Sequence, residues 1–224
     1  QVFKTYADMA IEVGHSGSNW SVLESPSLVG NTLMLDSEEE VDAYLPYYLD
    51  QNTSRQDPLS VVARSYANPG DIWPESLQYS MGVAEFSIIL MGILDRRYPD
   101  LDLAGTYPNI LMAAGQLHNL RFPNEDFPSF GDGHRYYAPP YATFENAYYL
   151  ASLAGDTENM MRYGSLIKSG IASGRYDRSA LPERSFAAHV YSTPLKLLWS
   201  VPDLTGEERD YPRTRTARLP FAGM

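Results

Sequence analysis

Apolar residues recur three and four positions apart along most of the chain, which is the spacing of one face of an α-helix. The segment from Thr5 to Val13 is an example, with apolar side chains at Tyr6, Met9, Ala10 and Val13. We find no segment with the strict apolar-polar alternation that is typical of a half-buried strand. Short turns such as residues 154–156 favour antiparallel helical hairpins. The pattern therefore predicts an all-α fold built from antiparallel helical hairpins.

Capping residues indicate where several helices begin. Ser37 and Glu40 have the spacing of a capping box for a helix that starts near Asp36 and runs through Tyr48. Asn19 is a good N-cap for a helix through Leu28. The strongest pattern predicts a buried helix from Pro74 to Arg97, with Pro74 at its first position. Further helices are predicted over residues 108–120, 142–154, 159–171 and 184–199, with Gly155 and Asp156 separating the second from the third.

Two long polar segments interrupt the helical pattern, residues 51–71 and 121–141. Loops of this length are uncommon in a compact domain unless they serve a function. After Thr205 the sequence becomes polar and without periodicity, as in an interdomain linker. We therefore predict a helical domain over residues 1–205 and a linker over residues 206–224. The closing segment from Leu219 to Met224 has the composition of the start of another element, so we expect a fragment of a longer protein.

Charge and composition narrow the classes of function. The 224 residues include 17 basic and 28 acidic side chains and no cysteine. A net charge of −11 argues against nucleic acid or an anionic membrane surface as a partner. The absence of cysteine excludes disulfides, thiolate metal sites and a cysteine nucleophile. The longest apolar run is too short to span a bilayer. The 17 tyrosines are compatible both with carbohydrate binding and with ordinary helix packing.

Three short segments concentrate side chains that could carry chemistry. The first is Gly14-His15-Ser16-Gly17-Ser18-Asn19-Trp20, and the second runs from Gly70 to Tyr79 and contains Asp71, Trp73, Pro74 and Glu75. The third is the turn Phe130-Gly131-Asp132-Gly133, which is followed by His134 and Arg135. Each segment alone is explained by a helix start or a turn.

Together, these segments resemble the heparinase II/III-like polysaccharide lyases. The resemblance rests on Gly17-Ser18-Asn19-Trp20, on Asp71-Ile72-Trp73-Pro74-Glu75-Ser76-Leu77-Gln78-Tyr79, on Phe130-Gly131-Asp132 and on the closing Arg218–Met224. It implies the later part of an incomplete (α/α) toroid, which would contact a β-sheet domain that is missing from this chain. It also implies a periplasmic or extracellular bacterial protein with an acidic polysaccharide or oligosaccharide as partner.

The resemblance implies β-elimination at a uronic acid. A neutral donor must polarise the uronate carboxyl group while the C5 proton leaves, and an acid must protonate the departing glycosidic oxygen. By motif position, Asn19 would polarise the carboxyl group and Tyr79 would transfer a proton. A Tyr base would need a lowered pKa, from nearby positive charge or from a hydrogen bond to the phenolate. Substrate would be bound by further side chains near the motifs, namely Trp20, Trp73, Glu75, His134 and Arg135. We expect no metal site and no cofactor in this chain.

The position after Asn19 departs from the family pattern, because many relatives carry a histidine there and this chain has Trp20. His15 and His134 are possible substitutes. His118 and His189 lie within apolar helix patterns and are predicted to be packing or surface residues. Two other functions stay open: a glycoside hydrolase on the same toroid, and a noncatalytic carbohydrate-binding module. The hydrolase would use a pair of carboxylates from Asp71, Glu75 and Asp132.

Overall fold

The computed structural model describes residues 1–68, 71–122, 128–129, 131–133, 141–179 and 203–207. Within these ranges the regular structure is helical and no strand occurs, which confirms the predicted all-α class. The α-helices are α1 (Val2–Val13), α2 (Asn19–Thr32), α3 (Glu38–Leu49), α4 (Leu59–Ala63), α5 (Leu77–Arg97), α6 (Leu103–Thr106), α7 (Pro108–His118), α8 (Tyr141–Leu153) and α9 (Thr157–Ala172).

The chain divides into two compact units, residues 1–67 and residues 68–224. In the first unit, α1 packs against α2, α2 against α3, and α3 against α4. Its core is lined by apolar side chains from all four helices: Ala7, Ala10, Val22, Leu28, Val29, Val41, Leu45, Tyr48, Leu59 and Val62. On α1 the apolar spacing predicted the helix but not its buried face, because Tyr6, Met9 and Val13 are exposed while Ala10, together with Ala7, faces the core.

The second unit is organised around α5, which packs against α7 and α8, while α8 and α9 pack against each other most extensively. Side chains on all sides of α5 are buried, among them Met81, Phe86, Ile88 and Leu94. Although its uninterrupted apolar run is short, the whole of α5 is long and apolar enough to cross a membrane, but 78% of its most apolar window is buried inside the protein. Burial of this kind is what a core helix requires.

Several predicted helix ends are confirmed. Ser37 is the N-cap of α3 and accepts a hydrogen bond from the Glu40 backbone amide. Asp156 caps α9 through the amide of Asn159. Gly155, between α8 and α9, has a φ of +66°, a backbone conformation that favours glycine. The turn between these helices therefore forms for the reason that the sequence indicated.

Two predicted helix starts are wrong. Asn19 is not the N-cap of α2; Ser18 is, with its hydroxyl accepting from the Trp20 amide. The long core helix does not begin at Pro74 but at Leu77, because Ser76 caps it through the amide of Tyr79. In both places a serine hydroxyl satisfies an amide that would otherwise lack a partner at the helix start.

The predicted loop over residues 51–71 contains regular structure that the sequence reading missed. The short helix α4 is followed by a 3-10 turn, Arg64–Tyr66. Leu59, Val62 and Tyr66 are buried, which explains why so short a segment is helical: it contributes apolar side chains to the core. The predicted helix over residues 184–199, and His189 with it, lies outside the described residues.

The described residues around the predicted linker start lie against α8 and α9. The Tyr148 hydroxyl accepts from the Thr205 backbone amide at 3.0 Å, and Lys168 donates to the Gly206 carbonyl at 2.8 Å. The predicted domain boundary between residues 205 and 206 stays a prediction. His118 is buried beside Arg121 and Phe144, so it is a packing residue as predicted.

Candidate functional site

The predicted site residues fall into two clusters, one in each unit, and each begins a helix. In the first unit, Asn19 is the first residue of α2. Its side chain is 7% exposed, and no residue that the structure describes hydrogen-bonds its amide group. Trp20 follows with 58% of its surface exposed. At the start of α2, a side-chain amide that makes no hydrogen bond to a described residue thus lies next to an exposed aromatic ring.

Two glycines shape the loop before α2. A Cβ at Gly14 would lie 2.6 Å from the Ala10 carbonyl oxygen and 2.8 Å from a Glu24 oxygen, so only glycine fits there. Gly17 has a φ of +72°, and its amide donates to the Asp57 carboxylate. These contacts hold the loop from Gly14 to Ser18 against the end of the 51–57 segment.

A buried polar network holds the same segment on α2. The Asp57 amide donates to the Ser21 hydroxyl at 2.8 Å, and the Gln56 side chain donates to the Ser25 hydroxyl at 3.1 Å. Gln56 and Ser21 are fully buried, so these bonds are made away from water and are costly to lose. These hydrogen bonds tie the first turns of α2, where Asn19 stands, to residues 56 and 57.

His15 lies in the loop before α2 and contacts Glu24 of that helix. Its Nδ1 is 2.8 Å from Glu24 Oε1, and its backbone amide donates to Glu24 Oε2 at 2.9 Å. The imidazole ring lies 6.3 Å from the Trp20 ring, centroid to centroid. One carboxylate of α2 therefore fixes both the backbone and the ring of His15 beside the open tryptophan.

In the second unit, Trp73 and Glu75 precede α5 and contact each other. The Trp73 indole Nε1 donates to Glu75 Oε2 at 2.6 Å, and its backbone amide donates to the Ser80 hydroxyl at 2.9 Å. Trp73 is 9% exposed, so most of its ring packs in the protein, whereas Glu75 is exposed. The part of Trp73 that could stack on a ligand is small.

Tyr79 lies in the first turn of α5 and points its hydroxyl at Asp132. The Tyr79 hydroxyl donates to Asp132 Oδ2 at 3.2 Å across 53 positions of sequence. This hydrogen bond and the charge of Asp132 raise the pKa of Tyr79 above its ordinary value, and slight burial and the Glu75 charge act in the same direction. Loss of the proton would place a phenolate beside two carboxylates, so the site holds Tyr79 as a neutral phenol.

The pKa of Tyr79 is shifted in the direction opposite to the one that a base would need. The sequence reading required positive charge, or a hydrogen bond to the phenolate, to lower its pKa. The charges that the described residues place against the hydroxyl are negative. Tyr79 in this environment can give up a proton in a transition state, but it is not poised as a phenolate.

The Asp132 turn approaches the start of α5 at Gly131. This glycine has a φ of +60°, and a Cβ at its position would lie 3.7 Å from the Ser76 Cβ. The described part of the predicted 121–141 loop therefore meets the start of α5. His134 and Arg135, which the sequence predicts to bind substrate, lie outside the described residues.

The carboxylates considered for hydrolysis each have a partner. Asp71 is 1% exposed and accepts from the amide and side chain of Asn68. Glu75 accepts from Trp73, and Asp132 accepts from Tyr79. Asp71 closes a turn, so of the three only Glu75 and Asp132 are open to a ligand.

Two acidic residues were missed as partners of the site residues. The sequence does not indicate Glu24, and it indicates Asp132 as part of the Phe130-Gly131-Asp132 motif and as a candidate hydrolytic carboxylate but not as the partner of Tyr79. Glu24 contacts a residue nine positions away and Asp132 one that is 53 positions away, and a glycine adjoins each contact, Gly14 before His15 and Gly131 before Asp132. In the part of the chain that the structure describes, no group of three or more His, Asp or Glu side chains could hold a metal ion. The expected absence of a metal and of a cofactor stays a prediction.

Comparisons with known proteins point to one class of enzyme. The model of the family described as "Endo-acting ulvan lyase 2nd domain" matches residues 69–213, a range that includes Tyr79 and Asp132 but not Asn19. The chain is also 26% identical over 187 residues to a protein of Formosa agariphila named endo-acting ulvan lyase. That alignment covers 83% of this chain and 22% of the relative, so the chain spans about a fifth of the relative's length. No solved structure matches the chain.

Proposed function

The chain belongs to the endo-acting ulvan lyase 2nd domain family, and from this premise we propose that it is part of an enzyme that cleaves a uronic-acid-containing polysaccharide by β-elimination. The observation that carries the proposal is the Tyr79–Asp132 pair within the matched range. A neutral phenol in a partly exposed position is a suitable proton donor to the departing glycosidic oxygen. The alkoxide that would leave without protonation is a much stronger base than a phenolate, so proton transfer in this direction is favourable.

Asn19 takes the second role, polarising the uronate carboxyl group. The amide is neutral, buried and uncommitted among the described residues, and it stands at the N-terminus of α2. The backbone amides of a helix start favour a negatively charged group. As C5 loses its proton, charge moves onto the carboxyl oxygens, and a fixed donor there stabilises the transition state more than the ground state.

Trp20 supplies an aromatic face for a sugar ring, since its indole is largely exposed. Glu75, His134 and Arg135 complete the proposed set of substrate-binding residues, with Arg135 as a counter-charge for an acidic polymer. Trp73 contributes mainly by fixing the side chain of Glu75.

The wider features of the proposal follow the resemblance to heparinase II/III-like lyases. They are an incomplete (α/α) toroid, a β-sheet domain that completes the site, and a periplasmic or extracellular location. Ulvan is the first polymer to test, because the curated relative is named for it.

The test uses the full-length protein that contains this chain. It is incubated with ulvan, heparan sulfate, alginate and hyaluronan while ultraviolet absorbance is followed. A lyase leaves a conjugated double bond and the absorbance rises. Reducing ends without absorbance would instead show a glycoside hydrolase, for which Glu75 and Asp132 are the open carboxylates. Binding of an acidic oligosaccharide with neither product would show the noncatalytic alternative.

A further inference from the structure

Residues 203–207, which include the start of the predicted linker, lie against α8 and α9. None of their side chains is buried: Leu204 and Gly206 are half-buried, and the other three residues are exposed. The segment is therefore held on the helices by its backbone and its hydrogen bonds, and not by buried apolar side chains of its own. We propose that residues 203–207 form a strap, which fastens α8 to α9 and opens as a unit of its own, so that the predicted linker starts from an anchored point.

On α8, one hydroxyl group makes three contacts with the strap. The Tyr148 hydroxyl accepts from the Thr205 backbone amide at 3.0 Å and donates to the Asp203 carbonyl at 3.2 Å. It also lies 3.3 Å from the Thr205 hydroxyl. The Tyr148 residue is fully buried, so packing inside the helical unit fixes the position of its hydroxyl. Tyr148 is therefore an anchor that stays in place whether the strap is bound or open.

On α9, the strap passes over a position where only glycine fits. A Cβ on Gly164 would overlap the Thr205 carbonyl oxygen, so the strap backbone runs directly over the surface of the helix. Lys168 lies four positions later, on the same face of α9, and donates from Nζ to the Gly206 carbonyl at 2.8 Å. The strap is thus fastened at two successive turns of α9.

The strap has a glycine of its own at the place of closest approach. Gly206 has a φ of +96°, a backbone conformation that favours glycine. A Cβ there would lie 2.5 Å from the Met161 carbonyl oxygen and 2.6 Å from the Ser165 hydroxyl oxygen. The contact therefore depends on glycine on both sides, Gly164 on the helix and Gly206 on the strap. A linker that only lay near the helices would need neither.

The α8–α9 pair has a core that does not depend on the strap. Phe144 on α8 and Tyr163, Leu166 and Ile167 on α9 are buried apolar side chains. Native proteins open first at elements that have few buried apolar contacts. The strap meets this description and the two helices do not. We therefore expect the strap to open while α8 and α9 stay folded.

The test measures hydrogen exchange of the Thr205 amide by mass spectrometry, in the full-length protein that contains this chain. It compares the wild type with Gly164→Ala and Gly82→Ala. Both glycines lie inside helices, so both changes raise helix propensity, but a Cβ at Gly82 would have no atom within 4 Å. We expect exchange at Thr205 to become about tenfold faster or more in Gly164→Ala, because the fastened state is lost. Gly82→Ala should leave it unchanged, and amides in the middle of α8 and α9 should stay protected in both variants.

A second variant tests the same contact from the side of the strap and changes no helix residue. Gly206→Ala should speed exchange at Thr205 as much as Gly164→Ala does. The double variant should exchange no faster than either single variant, because each change alone opens the strap. In the wild type, low concentrations of denaturant should leave the Thr205 exchange rate nearly unchanged, since opening the strap exposes little apolar surface.

Three results would overturn the strap. Fast exchange at Thr205 in the wild type would show that the segment is not fastened. Slow exchange in Gly206→Ala would show that the close glycine contacts do not hold it. Loss of protection throughout α8 and α9 in Gly206→Ala, or a strong denaturant dependence at Thr205, would show that the segment is part of the helical core and does not open by itself. None of these measurements involves turnover, so the proposed function stands or fails separately.

Discussion

The starts of α2 and α5 are alike in how they are made and opposite in what they present. Each helix is capped by a serine hydroxyl that accepts a hydrogen bond from a backbone amide at 3.2 Å. The serine is Ser18 in one unit and Ser76 in the other. At α2 the next residue, Asn19, is buried and its amide is uncommitted among the described residues. At α5 the third residue, Tyr79, is partly exposed and its hydroxyl is bound to Asp132.

The difference lies in the charge placed at each helix start. The first turn of α2 has no acidic side chain, so its amide donors favour an added negative group. At α5 the carboxylates of Asp132 and Glu75 stand near the phenol and keep it protonated. The start of α2 is therefore suited to bind and polarise an anion, and the start of α5 is suited to keep a phenol protonated. The proposed β-elimination would use Asn19 for the first of these roles and Tyr79 for the second.

The largest effect is expected when the Tyr79 hydroxyl, the proposed proton donor, is removed. Tyr79→Phe deletes the hydroxyl and little volume, so we expect turnover to fall by about 10²–10⁴-fold while oligosaccharide binding is retained. Initial rates of ultraviolet-absorbing product and a direct binding titration measure the two quantities. The control is Tyr6→Phe, because Tyr6 lies exposed on α1, and it should leave both unchanged. A Tyr79→Phe protein with normal turnover would contradict the assignment.

A similar loss of turnover is expected when the Asn19 amide, the proposed donor at the start of α2, is removed. Asn19→Ala should lower kcat by about 10²–10³-fold, the range found when one donor to a developing negative charge is deleted. Because the amide makes no hydrogen bond within the described residues, the melting temperature should change much less than the rate. A large fall in stability with a proportionate fall in rate would instead indicate that Asn19 supports the fold.

A smaller effect, seen mainly in the pH dependence, is expected at Asp132. Its carboxylate raises the pKa of Tyr79, so Tyr79 stays protonated, and active as an acid, to higher pH. Asp132→Asn removes the negative charge and should move the alkaline limb of the kcat profile to lower pH. A pH series of wild type and variant measures the shift. A limb that rises with pH and moves to lower pH in the variant would mean that Tyr79 acts as the base.

The fold was largely readable because its signals are local. The caps at Ser37 and Asp156 and the turn at Gly155 depend on residues within a few positions of each other. The two wrong helix starts show the limit of this reasoning. Ser18 and Asn19 are both good N-caps, and a shift of one position cannot be resolved from cap preference alone. The helix α5 begins after Ser76 and not at Pro74, because the Ser76 hydroxyl reaches the Tyr79 amide and caps the helix there.

The site was readable only in part because its contacts join distant positions. Tyr79 and Asp132 are separated by 53 positions, and Gly17 and Asp57 by 40. Motif resemblance indicated Asn19 and Tyr79, but it did not indicate which charge would stand beside each. Asp132 reverses the expected effect on the pKa of Tyr79, and periodicity and cap rules contain no information on such a contact.

The smallest expected effects concern the two serine caps. Ser18→Ala and Ser76→Ala should each lower the free energy of unfolding by about 1 kcal/mol, since each leaves a backbone amide without its partner. Ser76 is 1% exposed, and its Cβ faces Gly131 of the Asp132 turn. We therefore expect the larger loss at Ser76, together with a change in the pH profile like that of Asp132→Asn. The melting temperature of each variant measures the loss, with Ser27→Ala, an exposed position inside α2, as the matched control. Equal losses at Ser76 and Ser27 would show that the cap contributes nothing beyond helix propensity.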